Sequence, residues 1–139
     1  MSMGDILVVG SGVSGMQASI DLADFGHKIF LLEKQDELGG NLRNLSEISP
    51  THQKASEMLS AYLDKIKTHS NITVMKSTEI LDFRGNFPNF QASVKTPNGT
   101  RDLAINAVIL ATGFQPYNPF ISQGVRVWKN QGCSDLHRV

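Results

Sequence analysis

The chain has 139 residues, 40% of them hydrophobic, and its 13 basic and 13 acidic residues cancel to a formal net charge of zero. This length suits one domain with a substantial core. The charge balance shows no excess of basic residues that would favour binding to nucleic acid or to an anionic membrane surface. No apolar run approaches the roughly 18 residues of a membrane-spanning helix and no secretory leader pattern is present, so we expect a cytoplasmic protein with neither nucleic acid nor a membrane span.

Cysteine and histidine usage narrows the chemistry further. Cys133 is the only cysteine, which excludes an internal disulfide, a CxxC redox pair and a cysteine-ligated iron–sulfur cluster within these residues. The histidines have no metal-ligand spacing and stand at His27, His52, His69 and His137. We therefore predict no metal site, and no general acid–base pair or nucleophile–base pair stands out as a catalytic centre.

A glycine-rich turn follows the first apolar run, residues 6–9, and has the sequence Gly10-Ser11-Gly12-Val13-Ser14-Gly15. In such a turn Gly10 permits the sharp exit from a strand, and Gly12 lets the backbone approach a pyrophosphate with no Cβ in the way. Gly15 lets the following helix pack closely on the strand. The free N–H groups at the start of that helix, near Val13, are expected to face the phosphates.

A helix and a second strand complete this unit. The helical apolar stripe is expected at Val13, Met16, Ile20 and Ala23. Gly26 stands where a left-handed helix cap is wanted. The next apolar run, residues 29–32, is continuous rather than alternating, which is typical of a strand buried on both faces of a parallel sheet.

Glu33 ends the second strand, 18 residues after Gly15. This is close to the usual spacing of about 20 for a carboxylate that binds ribose hydroxyls in a dinucleotide site, and it would repel the 2′-phosphate of NADP. Both strands, the helix and the acid together predict dinucleotide binding. The alternative, a glycine turn that only packs, does not explain Glu33.

A pair of glycines, Gly39-Gly40, follows soon after the second strand. It would allow another loop to lie close to the dinucleotide, with backbone N–H groups free for phosphate or ribose. Arg43 would add charge to the pyrophosphate or reach a flavin edge. The alternative is a flexible turn with a solvated arginine.

A second helix is predicted to start at Ser49-Pro50-Thr51, since proline is tolerated in a first turn, and to run to about Thr68. Its apolar positions are assigned to the core and are Met58, Leu59, Tyr62, Leu63 and Ile66. Residues 72–75 then predict a third strand.

Shorter, more alternating runs follow at residues 79–84, 90–95 and 100–105, separated by Gly85-Asn86 and by the turn at residues 96–99. Asn98-Gly99 is a strong hairpin signal, so we predict a three-stranded antiparallel meander. Residues 107–110 then predict a buried parallel strand whose end, Ala111-Thr112-Gly113, faces the same crevice as the glycine turn. The predicted fold class is therefore α/β, a Rossmann-like parallel sheet with a GxGxxG βαβ unit and an inserted three-stranded antiparallel β-meander.

The last part of the chain is less regular. Residues 115–119 break regular structure, and residues 125–128 form a possible short strand that includes Trp128. We expect residues 1–119 to be a dinucleotide-binding Rossmann-like domain and residues 120–139 to be a C-terminal extension or a remnant of truncation.

The order of these features resembles the FAD-binding half of the two-dinucleotide-binding flavoproteins, the glutathione-reductase-like group. Within that group, three stretches look most like the A subunit of heterodisulfide reductase and the related quinone-interacting flavoprotein subunits. They are residues 37–43 (ELGGNLR), 85–87 (GNF) and 108–119 (VILATGFQPYNP). The resemblance covers roughly residues 6–119.

The resemblance implies a role for each group of site residues. The FAD pyrophosphate would contact Gly10, Ser11, Gly12, Val13, Ser14 and Gly15. The adenosine ribose would bind Glu33, with Lys34 beside it, and the adenine edge would meet the backbone of Ile80. The path toward the flavin would be lined by Gly40, Asn41, Leu42 and Arg43. The segment that closes over the cofactor would be Ala111, Thr112 and Gly113.

Members of this group are several times longer, with a second nucleotide domain and often iron–sulfur ligands. The expected function is accordingly an FAD-dependent oxidoreductase domain, as a fragment or short subunit that transfers electrons through FAD and whose flavin is covered by a protein partner or a second copy. The alternative is a non-catalytic module that binds NAD or the ADP moiety as a sensor or assembly partner. A third alternative is a structural remnant with an empty loop.

Overall fold

The computed structural model describes residues 4–115 of the chain. Its elements, in order, are β1 (Ile6–Val9), α1 (Val13–Asp24), β2 (Ile29–Leu32), a 3₁₀ helix (Gly40–Asn44), β3 (Glu47–Ile48), β4 (Gln53–Lys54), α2 (Ala55–Thr68), β5 (Ile72–Met75), β6 (Glu79–Asn86), β7 (Asn89–Thr96), β8 (Gly99–Ile105) and β9 (Ala107–Leu110). The predicted break at residues 116–119, the strand at residues 125–128 and the boundary after residue 119 lie outside the described residues. Neither α1 nor α2 is long and apolar enough to cross a membrane.

Four parallel strands form the central sheet in the order β5-β2-β1-β9. Val9 lies opposite both Leu32 and Leu110, and Leu32 lies opposite Met75. All four strands therefore end level with one another, and the chain leaves each of them at the same edge of the sheet. In open α/β sheets this edge is where ligands bind.

Both faces of the parallel sheet are covered, which explains the continuous apolar sequence of its inner strands. On one face α1 and α2 pack against side chains that include Ile6, Val8 and Leu31. On the other face the antiparallel sheet β6-β7-β8 packs against side chains that include Leu7 and Leu32. The result is three layers, helices, parallel sheet and meander, and the predicted fold class is confirmed.

The predicted start of the second helix is wrong. Residues 49–52 instead form the turn between β3 and β4, in which Glu47 pairs with Lys54, and α2 begins at Ala55. The His52 N–H donates to the Ile48 carbonyl at 2.8 Å, and the Ala55 N–H donates to the Ser46 carbonyl at 3.0 Å. Backbone groups that would begin a helix at residue 50 are thus used to close a hairpin.

Three smaller predictions also need correction. Gly85-Asn86 belongs to β6, and the turn to β7 is formed by Phe87 and Pro88. Strand β9 is parallel as predicted but is only partly buried, since it is an outer strand of the sheet among the described residues. Leu110 at its end is 74% exposed. Val13 is exposed at the start of α1, so the buried stripe begins at Met16.

Candidate functional site

Three loops meet at the edge where the parallel strands end. The glycine turn leaves β1, the Gly39-Gly40 loop follows β2, and residues 111–113 leave β9. The Gly39 N–H donates to the Ser11 carbonyl at 3.0 Å. The Asn41 amide donates to the Phe114 carbonyl at 2.9 Å, which joins the second and third loops. The structure therefore brings together segments that the sequence predicted to share one crevice.

Two glycines of the turn are required by the protein itself. Gly10 has φ +101°, and a Cβ there would overlap the Ala111 carbonyl oxygen. A Cβ on Gly15 would overlap the Gly10 carbonyl oxygen and would lie 3.3 Å from the Ala111 Cβ. Both positions therefore need glycine for the turn and for the close packing of α1, whether or not a ligand binds.

Gly12 is different from its two neighbours in the motif. Its φ of −64° is open to any residue, and a Cβ added to it would meet no atom of residues 4–115 within 4 Å. Nothing in the described fold requires glycine at this position. Gly12 is the N-cap of α1 and offers no side-chain cap, so this residue supplies no side-chain acceptor for the backbone N–H groups of the first helical turn. Such a surface suits an anion that approaches the backbone closely.

The second glycine loop lies directly against this surface. A Cβ on Gly40 would lie 3.2 Å from the Gly12 Cα, which leaves little room for a larger residue. The Leu42 side chain is buried in the core beneath the loop and anchors the loop there. The Gly39-Gly40 loop and the start of α1 at Gly12 thus form two walls of one cleft, which we call the notch.

Arg43 points to its own loop. Its guanidinium donates to the Leu38 carbonyl at 2.9 Å and forms an ion pair with Glu37. The sequence had suggested that the positive charge of Arg43 would contact a pyrophosphate or a flavin edge. In the structure this charge is paired with a carboxylate of the same loop.

Glu33 is almost fully buried, and its carboxylate is held on both sides. One oxygen, Oε2, accepts the Ser11 N–H at 3.0 Å and also the Ser11 hydroxyl. The other oxygen, Oε1, accepts the Gln35 N–H at 2.9 Å. The fold thus places a carboxylate immediately beside the glycine turn, at the position that the motif spacing predicted.

Lys34 and Ile80 lie further along the same edge. The Lys34 ammonium is 3.2 Å from a Glu79 carboxylate oxygen, and both side chains are largely exposed. Ile80 is half-buried at the start of β6 and pairs with Val94. The Thr78 N–H donates to the Glu33 carbonyl at 2.9 Å, which brings the start of β6 next to the carboxylate.

The third wall of the notch consists of Ala111, Thr112 and Gly113. The Ala111 N–H continues the sheet by donating to the Val9 carbonyl at 2.8 Å. Thr112 and Gly113 are exposed, and the next residue, Phe114, exposes 75% of its surface. The wall therefore presents mainly backbone, and the Phe114 ring beside it is largely exposed.

Three contacts of the site were not found from the sequence. Gly39 binds Ser11 through its N–H, Gln35 binds Glu33 through its N–H, and Phe114 accepts the Asn41 amide. The pairing with Gly40 was a signal for Gly39. Gln35 and Phe114 contribute main-chain atoms to these contacts, so the identity of their side chains gives no signal in the sequence.

Within residues 4–115, no group of three or more His, Cys, Asp or Glu side chains is arranged to hold a metal ion. Two grooves of about 500 and 540 Å³ have other linings. One is lined by residues that include Asp5 and Asn106, and the other by residues that include Lys76 and Arg101. The notch is instead an open cleft, identified by its backbone geometry and its carboxylate.

The sequence matches the pyridine nucleotide-disulphide oxidoreductase family over residues 4–138. It is similar to an iron-sulfur A subunit of CoB–CoM heterodisulfide reductase from Methanopyrus kandleri, with 34% identity over 90 residues, 65% of this chain and 14% of that protein. It is also similar to the corresponding iron-sulfur protein of Methanocaldococcus jannaschii, with 30% identity over 89 residues, 64% of this chain and 14% of that protein. The chain thus spans a small part of the length of these relatives.

Among solved structures, L-proline dehydrogenase from P. horikoshii has a similar fold. The TM-score is 0.71 at 20% sequence identity, over 80% of this chain and 22% of that chain. At this identity the similarity concerns the fold alone.

Proposed function

The chain belongs to the pyridine nucleotide-disulphide oxidoreductase family, and from this membership we propose that it is the FAD-binding part of a flavoprotein oxidoreductase. One observation carries the proposal. The open backbone of Gly12 and the buried carboxylate of Glu33 lie side by side, joined through Ser11. This is the combination that a linked pair of phosphates and a sugar requires.

Different residues of the notch are proposed to contact different parts of the cofactor. In this proposal the pyrophosphate contacts the glycine turn and the first N–H groups of α1, from Gly10, Ser11, Gly12, Val13, Ser14 and Gly15. The adenosine ribose lies at Glu33 with Lys34 beside it, and the adenine lies toward the backbone of Ile80. The flavin lies toward Gly40, Asn41, Ala111, Thr112 and Gly113.

Leu42 and Arg43 are assigned structural roles in this proposal, and neither is assigned a direct contact with the cofactor. Leu42 supports the loop from the core, and Arg43 stabilises the loop through Glu37 and Leu38.

A bound flavin would supply the electron-transfer chemistry, and the protein would supply binding, orientation and electrostatics. The negative charge of Glu33 favours FAD or NAD over NADP, because a 2′-phosphate beside this carboxylate would be repelled. The Gly39-Gly40 loop, the meander and Thr112-Gly113 favour FAD over NAD, since they accompany FAD in the flavoproteins that the sequence resembles.

We also propose that the chain has a protein partner and a cytoplasmic location. The curated relatives are named as subunits of a heterodisulfide reductase, and the chain matches a small part of their length. Leu110 and Phe114 expose 74% and 75% of their surfaces beside the third wall of the notch. We propose that a partner chain or a second copy covers this region and exchanges electrons with the flavin.

The visible spectrum of the purified protein with and without added FAD tests this proposal. Retained FAD should give flavin absorbance that bleaches on chemical reduction. Binding of ADP or NAD without retention of a reducible flavin would instead support a non-catalytic dinucleotide-binding module. If FAD, NAD and ADP all left the thermal unfolding midpoint unchanged, the notch would have no nucleotide function and the proposal would be wrong.

A further inference from the structure

We infer that the Ser11 hydroxyl is a positioning group, which orients the Glu33 carboxylate toward the sugar of a bound dinucleotide and so sets the preference of the site for a ribose with free hydroxyls. The inference rests on the proposed function, because it assigns a role within the nucleotide site. It concerns the side chain of Ser11, whereas the glycine motif assigns only the backbone of this residue to the phosphates.

The contacts of Ser11 motivate the inference. The residue is fully buried, and its hydroxyl donates to Oε2 of Glu33. The same hydroxyl oxygen accepts the Gly39 N–H at 3.3 Å. The Ser11 side chain therefore connects the second glycine loop to the carboxylate in one chain of hydrogen bonds.

The distribution of donors around Glu33 gives this chain a consequence for the ligand. Two donors from Ser11 hold Oε2, and one donor from Gln35 contacts Oε1. A carboxylate offers about four acceptor positions, so Oε1 keeps acceptor capacity for a ligand hydroxyl. With Oε2 held by the protein, the carboxylate has one orientation in which Oε1 is presented to the ligand.

The backbone of the glycine turn keeps its own hydrogen bonds without the Ser11 hydroxyl. In a Ser11→Ala variant the Ser11 N–H can still donate to Glu33, and the Ser11 carbonyl can still accept the Gly39 N–H. The substitution removes one atom and creates no clash. The change should therefore appear in ligand preference more than in the backbone of the turn.

The test compares ADP with 2′,3′-dideoxy-ADP, which has the same phosphates but no ribose hydroxyls. Affinities are measured by isothermal titration calorimetry for the parent protein, Ser11→Ala and Ser19→Ala. Ser19 is a matched control, because it is also fully buried and its hydroxyl donates to the Gly15 carbonyl at 2.7 Å, away from Glu33. Circular dichroism confirms that each variant is folded.

The parent and Ser19→Ala should both prefer ADP. Ser11→Ala should bind ADP roughly 10- to 150-fold more weakly, the effect of one hydrogen bond to a charged group, and should bind the dideoxy ligand nearly as the parent does. The preference for ADP would then largely disappear in Ser11→Ala alone.

Other results would overturn the inference. Equal weakening of both ligands by Ser11→Ala would mean that the hydroxyl supports the phosphate turn and not the sugar site. Unchanged ADP binding in Ser11→Ala would remove the hydroxyl from any role in binding. A parent protein that bound both ligands equally would remove Glu33 from the sugar site. A parent that bound neither ligand nor FAD would overturn the proposed function, and the inference with it.

Discussion

Replacing Gly12 by alanine should separate ligand binding from folding. Among the residues that the structure describes, no atom lies within 4 Å of the new Cβ, and the φ of −64° suits alanine. The remaining cost is the weaker N-cap preference of alanine, about 0.5–1 kcal/mol. A loss of 1 kcal/mol lowers the melting temperature of a domain of this size by about 2–8 °C. The Gly12→Ala protein should therefore stay folded at room temperature.

The effect on the nucleotide should be much larger. The added methyl group occupies the open space in front of the first turn of α1, where the proposed pyrophosphate contacts backbone N–H groups. Hydrogen bonds to a charged group contribute about 1.5–3 kcal/mol each. Loss of two of them would weaken FAD binding by about 3–6 kcal/mol, which is more than a hundredfold.

The assay is a titration of FAD followed by flavin fluorescence, with thermal unfolding followed by circular dichroism. Gly15→Ala is the matched control, since its methyl group would overlap the Gly10 carbonyl oxygen and should destabilise the fold directly. FAD affinity should fall strongly in Gly12→Ala with only a small loss of stability, whereas Gly15→Ala should lose much more stability. If Gly12→Ala bound FAD as tightly as the parent, the phosphates would not lie at this turn.

Three further outcomes can be measured on single variants. Glu33→Gln keeps the shape of the side chain but removes its charge, and should weaken ADP binding by about 1–3 kcal/mol in calorimetry; an unchanged affinity would exclude Glu33 from the site. Arg43→Ala should leave FAD affinity unchanged in the fluorescence titration and alter stability by less than about 1 kcal/mol, since the arginine pairs with Glu37 on its own loop. A large loss of FAD affinity would instead restore Arg43 to the cofactor. Leu42→Ala should cost about 2–5 kcal/mol in urea unfolding because Leu42 is 4% exposed, whereas Leu110→Ala should cost within about 0.5 kcal/mol because Leu110 is 74% exposed. Equal costs for the two leucines would contradict the assignment of Leu42 to the core.

The sequence by itself determined the parts of this protein that depend on neighbours along the chain. The strand, glycine turn, helix and strand of residues 6–33 follow from apolar periodicity and from the special geometry of glycine, which act over a few residues. The meander follows in the same way from alternation and from Asn98-Gly99. The position of Glu33 at the end of its strand was also determined by local spacing.

Only the tertiary structure decided how distant groups share their hydrogen bonds. The Ser46 carbonyl accepts the Ala55 N–H, and this hairpin moved the start of α2 away from Pro50. Among the described strands, β9 is an outer strand of the parallel sheet, and Leu110 at its end is exposed although the strand is as apolar in sequence as a buried one. The Ser11 contact with Glu33 joins residues 22 apart, and the Asn41 contact with Phe114 joins residues 73 apart. The pattern of apolar residues indicates which side chains are buried. The hydrogen-bond partner of a polar group depends instead on which distant residues the folded chain brings next to it.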